Sequence, residues 1–177
     1  MTQTIEVHED GVALAFSFQE MLRYSGPGSP GGVALGFKLL ERALPLLNPD
    51  GAVERREVVI TTAFGGPGAR DACELVTRGL TDGRYVINLG LTRPDRGRTL
   101  ESFAFQAGYR GCRLSLVLRE GNVTDEFVAL AQQPDRTEAE EEHFTVLKQQ
   151  TADLLMSQPA AEVFDAEVFD AEVCYAE

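Results

Sequence analysis

Glu57-Val58-Val59-Ile60-Thr61-Thr62-Ala63-Phe64 runs into Gly65-Gly66-Pro67-Gly68, and then into Ala69 to Leu80 (ARDACELVTRGL). The first eight residues are largely β-branched and read as a strand. The glycines and the proline break it, and the segment that follows reads as a helix. Strand, Gly-rich turn and helix in succession open a βαβ unit, and Arg84 to Leu91 supplies the next strand. Two more strands follow, Ser102 to Ala107 and Cys112 to Arg119. In them Phe103 and Phe105, and Leu114, Leu116 and Leu118, alternate, so each puts one face on a core. Tyr109-Arg110-Gly111 reads as the hairpin connection between these two strands.

Upstream, Ser17-Phe18-Gln19-Glu20 has capping-box spacing and opens a short helix that ends near Tyr24. Ser25-Gly26-Pro27-Gly28-Ser29-Pro30-Gly31-Gly32 is too rich in Gly and Pro for regular structure. Ser29 and Pro30 read as N-cap and first residue of a second helix. Val33, Leu35, Phe37, Leu39, Leu40, Ala43 and Leu44 keep much of it apolar, so it is expected to be buried. Asn48-Pro49-Asp50-Gly51 marks a turn. Downstream, 123–133 and 137–157 read as helices, the second with a Thr137-to-Glu140 capping box. The fold class expected is therefore α+β: a two-layer α/β unit with a mixed four-stranded sheet in the order α-β-α-β-β-β, plus C-terminal helices. One domain over 1–157 is expected, followed by an acidic tail over 158–177.

The chain has 177 residues, 44% of them hydrophobic. At that size about 70% of the unfolded chain's surface can be buried, so no disulfide or metal is required for a core. The three cysteines, Cys73, Cys112 and Cys174, form no CxxC pair, and Cys73 is expected to be a buried core thiol. The net charge of −12 argues against nucleic acid and anionic membrane as partners. No apolar run approaches the ~20 residues of a membrane span, and the N-terminus lacks a signal-peptide pattern. A cytoplasmic protein is expected. Charge is unevenly spread: residues 1–119 carry 14 basic and 13 acidic residues, whereas 120–177 carry 2 and 15. Near the end, Ala161-Glu162-Val163-Phe164-Asp165 recurs as Ala166-Glu167-Val168-Phe169-Asp170 and, altered, as Ala171-Glu172-Val173-Cys174-Tyr175. A five-residue period fits neither helix nor strand, so a mobile tail is expected there.

Two Gly-Pro-Gly loops carry the chemistry available to the sequence: Gly26-Pro27-Gly28 and Gly66-Pro67-Gly68. Each precedes a helix, whose first N–H groups are free to meet an anion. The G-x-G-x-x-G spelled by Gly26, Gly28 and Gly31 follows a helix rather than a strand, so it is not a dinucleotide fingerprint. Arg70 sits in the first turn of the third helix, where a cation opposes the dipole and would serve as an anion fork. Asp71 beside it is expected to hold a loop N–H. Only two histidines occur, His8 and His143, neither at ligand spacing, so no metal set is read. No nucleophile–base pair is visible either, and no catalytic residue or cofactor is assigned.

Tyr24-Ser25-Gly26-Pro27-Gly28-Ser29-Pro30-Gly31-Gly32-Val33-Ala34-Leu35-Gly36-Phe37 resembles the opening motif of the FmdE-like domains of formylmethanofuran dehydrogenase, roughly His-Gly-His-x-Cys-Pro-Gly-x-x-x-Gly-Tyr. Gly68-Ala69-Arg70-Asp71-Ala72-Cys73-Glu74-Leu75-Val76-Thr77 is similar to that family's Cys-Ala-x-Asp-Ala-Ile-Gln-x-x-Thr helix. The resemblance covers about residues 17–120 and implies the same α-β-α-β-β-β unit. The family's histidines fall on Ser25 and Pro27, and its cysteines on Ser29 and Gly68. Thus the resemblance implies loops that keep their backbone shape without the metal-binding side chains. It also implies association with a redox enzyme of the molybdenum or tungsten class.

These readings lead to a small polar or anionic ligand, or a redox-enzyme partner, at the paired loops. Tyr24, Ser25, Gly26, Gly28, Ser29, Gly66, Gly68, Arg70 and Asp71 are the binding residues expected. A homodimer is expected too, with the second helix as a candidate interface. Two alternatives remain open: a non-catalytic module docking through its acidic C-terminal third, and a small enzyme acting through Arg70, Asp71 and Tyr24 on a substrate the sequence does not name.

Overall fold

The computed structural model describes residues 3–169. It is an α+β fold with strands gathered into two sheets. Strands β1 (Thr4–Glu9) and β2 (Val12–Ser17) form an antiparallel hairpin. Their two-residue loop, Asp10-Gly11, takes positive φ at both positions, as a tight hairpin turn requires. Helix α1 (Phe18–Ser25) follows, opened by the expected Ser17–Glu20 capping box. Helix α2 (Pro30–Leu47) starts at Ser29 and Pro30. The short strand β3 (Val53–Glu54) runs parallel to β1 and completes the small sheet, in the order β2-β1-β3. The Glu54 carboxylate accepts from the N–H groups of Asp10 and Gly11, tying the hairpin turn to β3.

The main sheet begins with β4 (Val59–Thr62), which leads into α3 (Pro67–Thr77) and then β5 (Tyr85–Ile87), parallel to β4. Strands β6 (Ala104–Tyr109) and β7 (Cys112–Leu118) form an antiparallel hairpin whose loop, Arg110-Gly111, again has positive φ at both positions. Next come α4 (Asp125–Gln132), α5 (Glu138–Met156), the short α6 (Ala160–Val163) and β8 (Phe164–Phe169). The sheet order is β5-β4-β6-β7-β8. The four expected strands are present as a mixed sheet, and β8 extends it to five. Neither β8 nor the small N-terminal sheet was expected from the sequence.

The repeat accounts for β8. A period of five is odd, so equivalent residues of successive copies fall on opposite faces of a strand. Phe164 is fully buried and meets Phe105 edge-on at 5.7 Å, whereas Phe169 is exposed. The first copy and most of the second are therefore part of the fold rather than a mobile tail. The third copy lies outside the described residues. Asn122 donates to the carbonyl oxygen of Glu162, and Arg119 to that of Ala161, so α6 is tied to the end of β7.

Helix α2 is the centre of the core. Twelve of its eighteen residues are buried, Lys38 among them with its Nζ 2.7 Å from Glu41. It crosses β6, β7 and β8, and is covered by α1, α3 and α5. A helix so enclosed offers no apolar face to a second copy, so the dimer interface considered along it is not available. The α2–α3 contact is a glycine contact. A Cβ on Gly36 would come within 2.7 Å of the Ala72 Cβ, and one on Gly68 within 2.6 Å of the Ser29 carbonyl oxygen. Gly31 turns instead to α5, where a Cβ would meet the Lys148 carbonyl oxygen at 3.1 Å.

Two arginines, Arg55 buried and Arg84 part-buried, fix the other end of α3. Arg55 Nε and Nη2 donate to the carbonyls of Val76 and Leu75 at 2.7 and 2.6 Å, and its Nη1 donates to Glu9. Arg84 Nη2 donates to the Thr77 carbonyl at 2.9 Å. These are last-turn carbonyls without a helical partner, and cations suit the negative end of the helix. Arg78 ends the helix in the left-handed region (φ 55°). Glu74 accepts from the N–H groups of Leu80 and Thr81, which shapes the turn into β5.

Candidate functional site

The glycine contact brings the N-termini of α2 and α3 side by side. Neither helix has a side-chain cap, and neither carries an acidic residue in its first turn. The leading N–H groups of both, less those replaced by Pro30 and Pro67, therefore lack helical partners. Each end also carries a partial positive charge from its peptide dipoles.

These ends open on a cavity of about 540 Å³. Gly28, Ser29 and Gly32 line it from the first loop, and Gly65 to Gly68 from the second. Thus both Gly-Pro-Gly loops border one space. The opposite wall comes from elements the sequence did not connect with the site: Phe127, Val128, Ala131 and Gln132 of α4, Arg136, and Phe144 and Lys148 of α5. Phe64 and Phe103 complete it, stacked at 4.7 Å. Among the described residues no acidic side chain lines this cavity, although the chain carries 28 carboxylate side chains.

Arg136 and Lys148 are the two basic residues of the acidic C-terminal third, and both border the cavity. Both also lie over the Phe144 ring, at 4.6 and 4.8 Å from its centroid. Arg136 is engaged by Glu141 and by the carbonyls of Leu130 and Gln133. Lys148 Nζ donates to the Gly28 carbonyl oxygen at 3.1 Å and has no carboxylate partner among the described residues. Its ammonium therefore stands beside the first loop. A lysine in the middle of a helix carries no local signal of such a position; the packing of α5 against Gly31 puts it there.

Of the nine residues expected to bind, four line the cavity and five do not. Gly28, Ser29, Gly66 and Gly68 line the cavity. Gly26 closes α1 with positive φ (83°). Ser25, Arg70 and Asp71 form a separate cluster beside it: Ser25 Oγ donates to Asp71 Oδ2 at 2.8 Å, and Arg70 Nη2 pairs with Asp71 Oδ1 at 3.0 Å. Asp71 thus joins the end of α1 to α3 instead of holding a loop N–H, and Arg70 already has its counter-charge. Tyr24 is half exposed. Cys73 is fully buried, and burial pushes its thiol up to about 12, so it is inert core.

Among the described residues no group of three or more His, Cys, Asp or Glu could hold a metal ion. No helix there is long and apolar enough to cross a membrane. No protein-family model matches the sequence, and no curated protein matches it.

Proposed function

We propose that this chain binds a small organic anion between its two Gly-Pro-Gly loops, as a divergent relative of the FmdE-like domains of formylmethanofuran dehydrogenase. The observation that carries the reading is electrostatic. In a chain of net charge −12, the cavity has two uncapped helix N-termini, two cations and no carboxylate on its walls. Such a place attracts an anion, and Lys148, unlike Arg136 with its Glu141 partner, makes no ion pair with an acid among the described residues. The order α2, β4, α3, β5, β6, β7 supports the family relation. So do the glycines that let the two loops meet. Ser25, Pro27, Ser29 and Gly68 stand where that family has its histidines and cysteines, so the loop pair serves an organic ligand here.

A thermal-shift series with short carboxylates and organic phosphates tests this reading. A ligand at a hundred times its Kd adds about 2.7 kcal/mol. For a chain of this size that is about 5–10 °C in Tm. Lys148→Met should cut the shift to about half at the same ligand concentration and leave the Tm without ligand nearly unchanged, since Lys148 is part-exposed. If no organic anion shifts Tm at millimolar concentration, the reading is wrong.

A further inference from the structure

We infer, on the basis of the anion-binding reading above, that the ligand is an amphipathic oxyanion: a carboxylate or phosphate carried on a ring-sized apolar body, not a free inorganic ion. Size argues first. A cavity of about 540 Å³ falls in the range of organic-ligand pockets. An inorganic phosphate would leave most of it to water. The lining also carries two kinds of group side by side. The polar groups are the glycine loops with Ser29 and the Lys148 ammonium. The apolar groups are the stacked pair Phe64 and Phe103, with Phe127, Val128 and Phe144. Phe64 lies against Gly66 and Phe144 under Lys148, so a ring joined directly to an oxyanion can meet both kinds at once. Water against the aromatic surface would find few hydrogen-bond partners, so a hydrocarbon body replaces it at a gain.

The far wall supplies much of the aromatic surface. Leu130, Phe144 and Leu147 form a small buried apolar cluster, which Phe127 joins to the main core. Phe127 and Phe144 pack at 5.6 Å. The cluster holds α4 against α5, and its aromatic edge borders the cavity. Charge sets the head group. Arg136 is already matched by Glu141, so Lys148 and the two helix ends remain to neutralise one oxyanion. The oxyanion therefore sits at the N-termini of α2 and α3, and the ring lies towards α4.

An NMR titration of the isotope-labelled full chain tests the proposal with four probes: phenyl phosphate, benzoate, inorganic phosphate and benzyl alcohol. Phenyl phosphate or benzoate is expected to bind at least tenfold tighter than either inorganic phosphate or benzyl alcohol. Their relative affinity identifies the head group. The amides of Gly66, Gly68 and Ala69 should shift with both aromatic anions. Lys148→Met should weaken the aromatic anions about tenfold and leave benzyl alcohol unaffected. Inorganic phosphate binding as tightly as phenyl phosphate overturns the amphipathic ligand while leaving an anion site standing. Benzyl alcohol binding as tightly as benzoate overturns the charged head. If no anion shifts these amides, the anion-binding reading falls with it.

Discussion

Replacing Gly68 by alanine should separate the two helices that form the site. A Cβ there would lie 2.6 Å from the Ser29 carbonyl oxygen, 2.6 Å from the Val33 nitrogen and 2.8 Å from the Gly32 carbonyl carbon. Ordinary contact begins at 3.4 Å, so the shortfall is about 0.8 Å. All three atoms are backbone, so no side chain can swing aside and α3 must move away from α2. Gly68 is not among the glycines with positive φ, so alanine adds no backbone strain and the cost is steric. Overpacking of this kind costs about 1–3 kcal/mol. The rigidity of both partners puts Gly68→Ala in the upper half of that range. At about 2–4 °C per kcal/mol for this size, Tm should fall by about 4–12 °C. Gly28→Ala is the control. It borders the same cavity, but its Cβ would meet nothing within 4 Å. By restricting the unfolded chain it should leave Tm unchanged or raise it by about 1–4 °C. Thermal unfolding followed by circular dichroism reads both. An unchanged Tm for Gly68→Ala, or an equal loss in both variants, would refute the close approach of the two helices.

Arg55→Met should destabilise the fold by about 2–4 kcal/mol, measured by urea unfolding, because it strips buried α3 carbonyls of their donors; a loss below about 0.5 kcal/mol would count against this. Phe164→Ala should cost about 3–5 kcal/mol as a buried aromatic truncation, whereas Phe169→Ala should cost under about 1 kcal/mol; equal effects would mean that the repeat does not form β8 in this register. Acid should weaken the fold. Hydrogen bonds from Arg56 hold Glu9 below the usual carboxylate range, and the Arg110 fork does the same for Glu57. Arg84 and then Arg56 depress Asp82. For Glu74 burial acts upward, but hydrogen bonds from Thr81 and Leu80 outweigh it and the net direction is down. A carboxylate depressed in the folded state contributes stability above its unfolded value, and that stability is lost as pH falls through the folded value. Tm should therefore be flat near neutrality and fall below about pH 4.5, less steeply in Glu74→Gln; a Tm that holds down to pH 3 would contradict the assignment.

Much of the architecture is legible in local sequence because local chemistry sets it. The capping boxes at Ser17 and Thr137 form as their spacing demands. Ser29 and Pro30 start α2, and Arg110-Gly111 turns the β6–β7 hairpin. The N-terminal hairpin is missed by the sequence reading, although Asp10-Gly11 is a turn signal between Ile5 and Val7 on one side and Leu14 and Phe16 on the other, because its strands are short and only half apolar. Helix ends and Gly-rich breaks also placed the two loops correctly in the chain.

The site itself depends on distance in space. The sequence identifies two loops, 40 residues apart, that lack side-chain ligands. It takes the close packing of Gly32, Gly36 and Gly68 to make them one surface. Arg70, which looks like an anion fork one turn into a helix, is neutralised by its neighbour Asp71. Lys148, which looks like one solvated residue in an acidic helix, reaches the Gly28 carbonyl. The acidic repeat becomes an edge strand because β7 has an open side for it and the core has room for Phe164. The sequence alone determined the caps, turns and apolar periods, since these are contacts among residues within a few positions. Which charges remain free, which glycines meet, and where the last strand pairs were decided by tertiary packing, because each depends on a partner more than twenty residues away or on a neighbour's orientation that only the assembled core fixes.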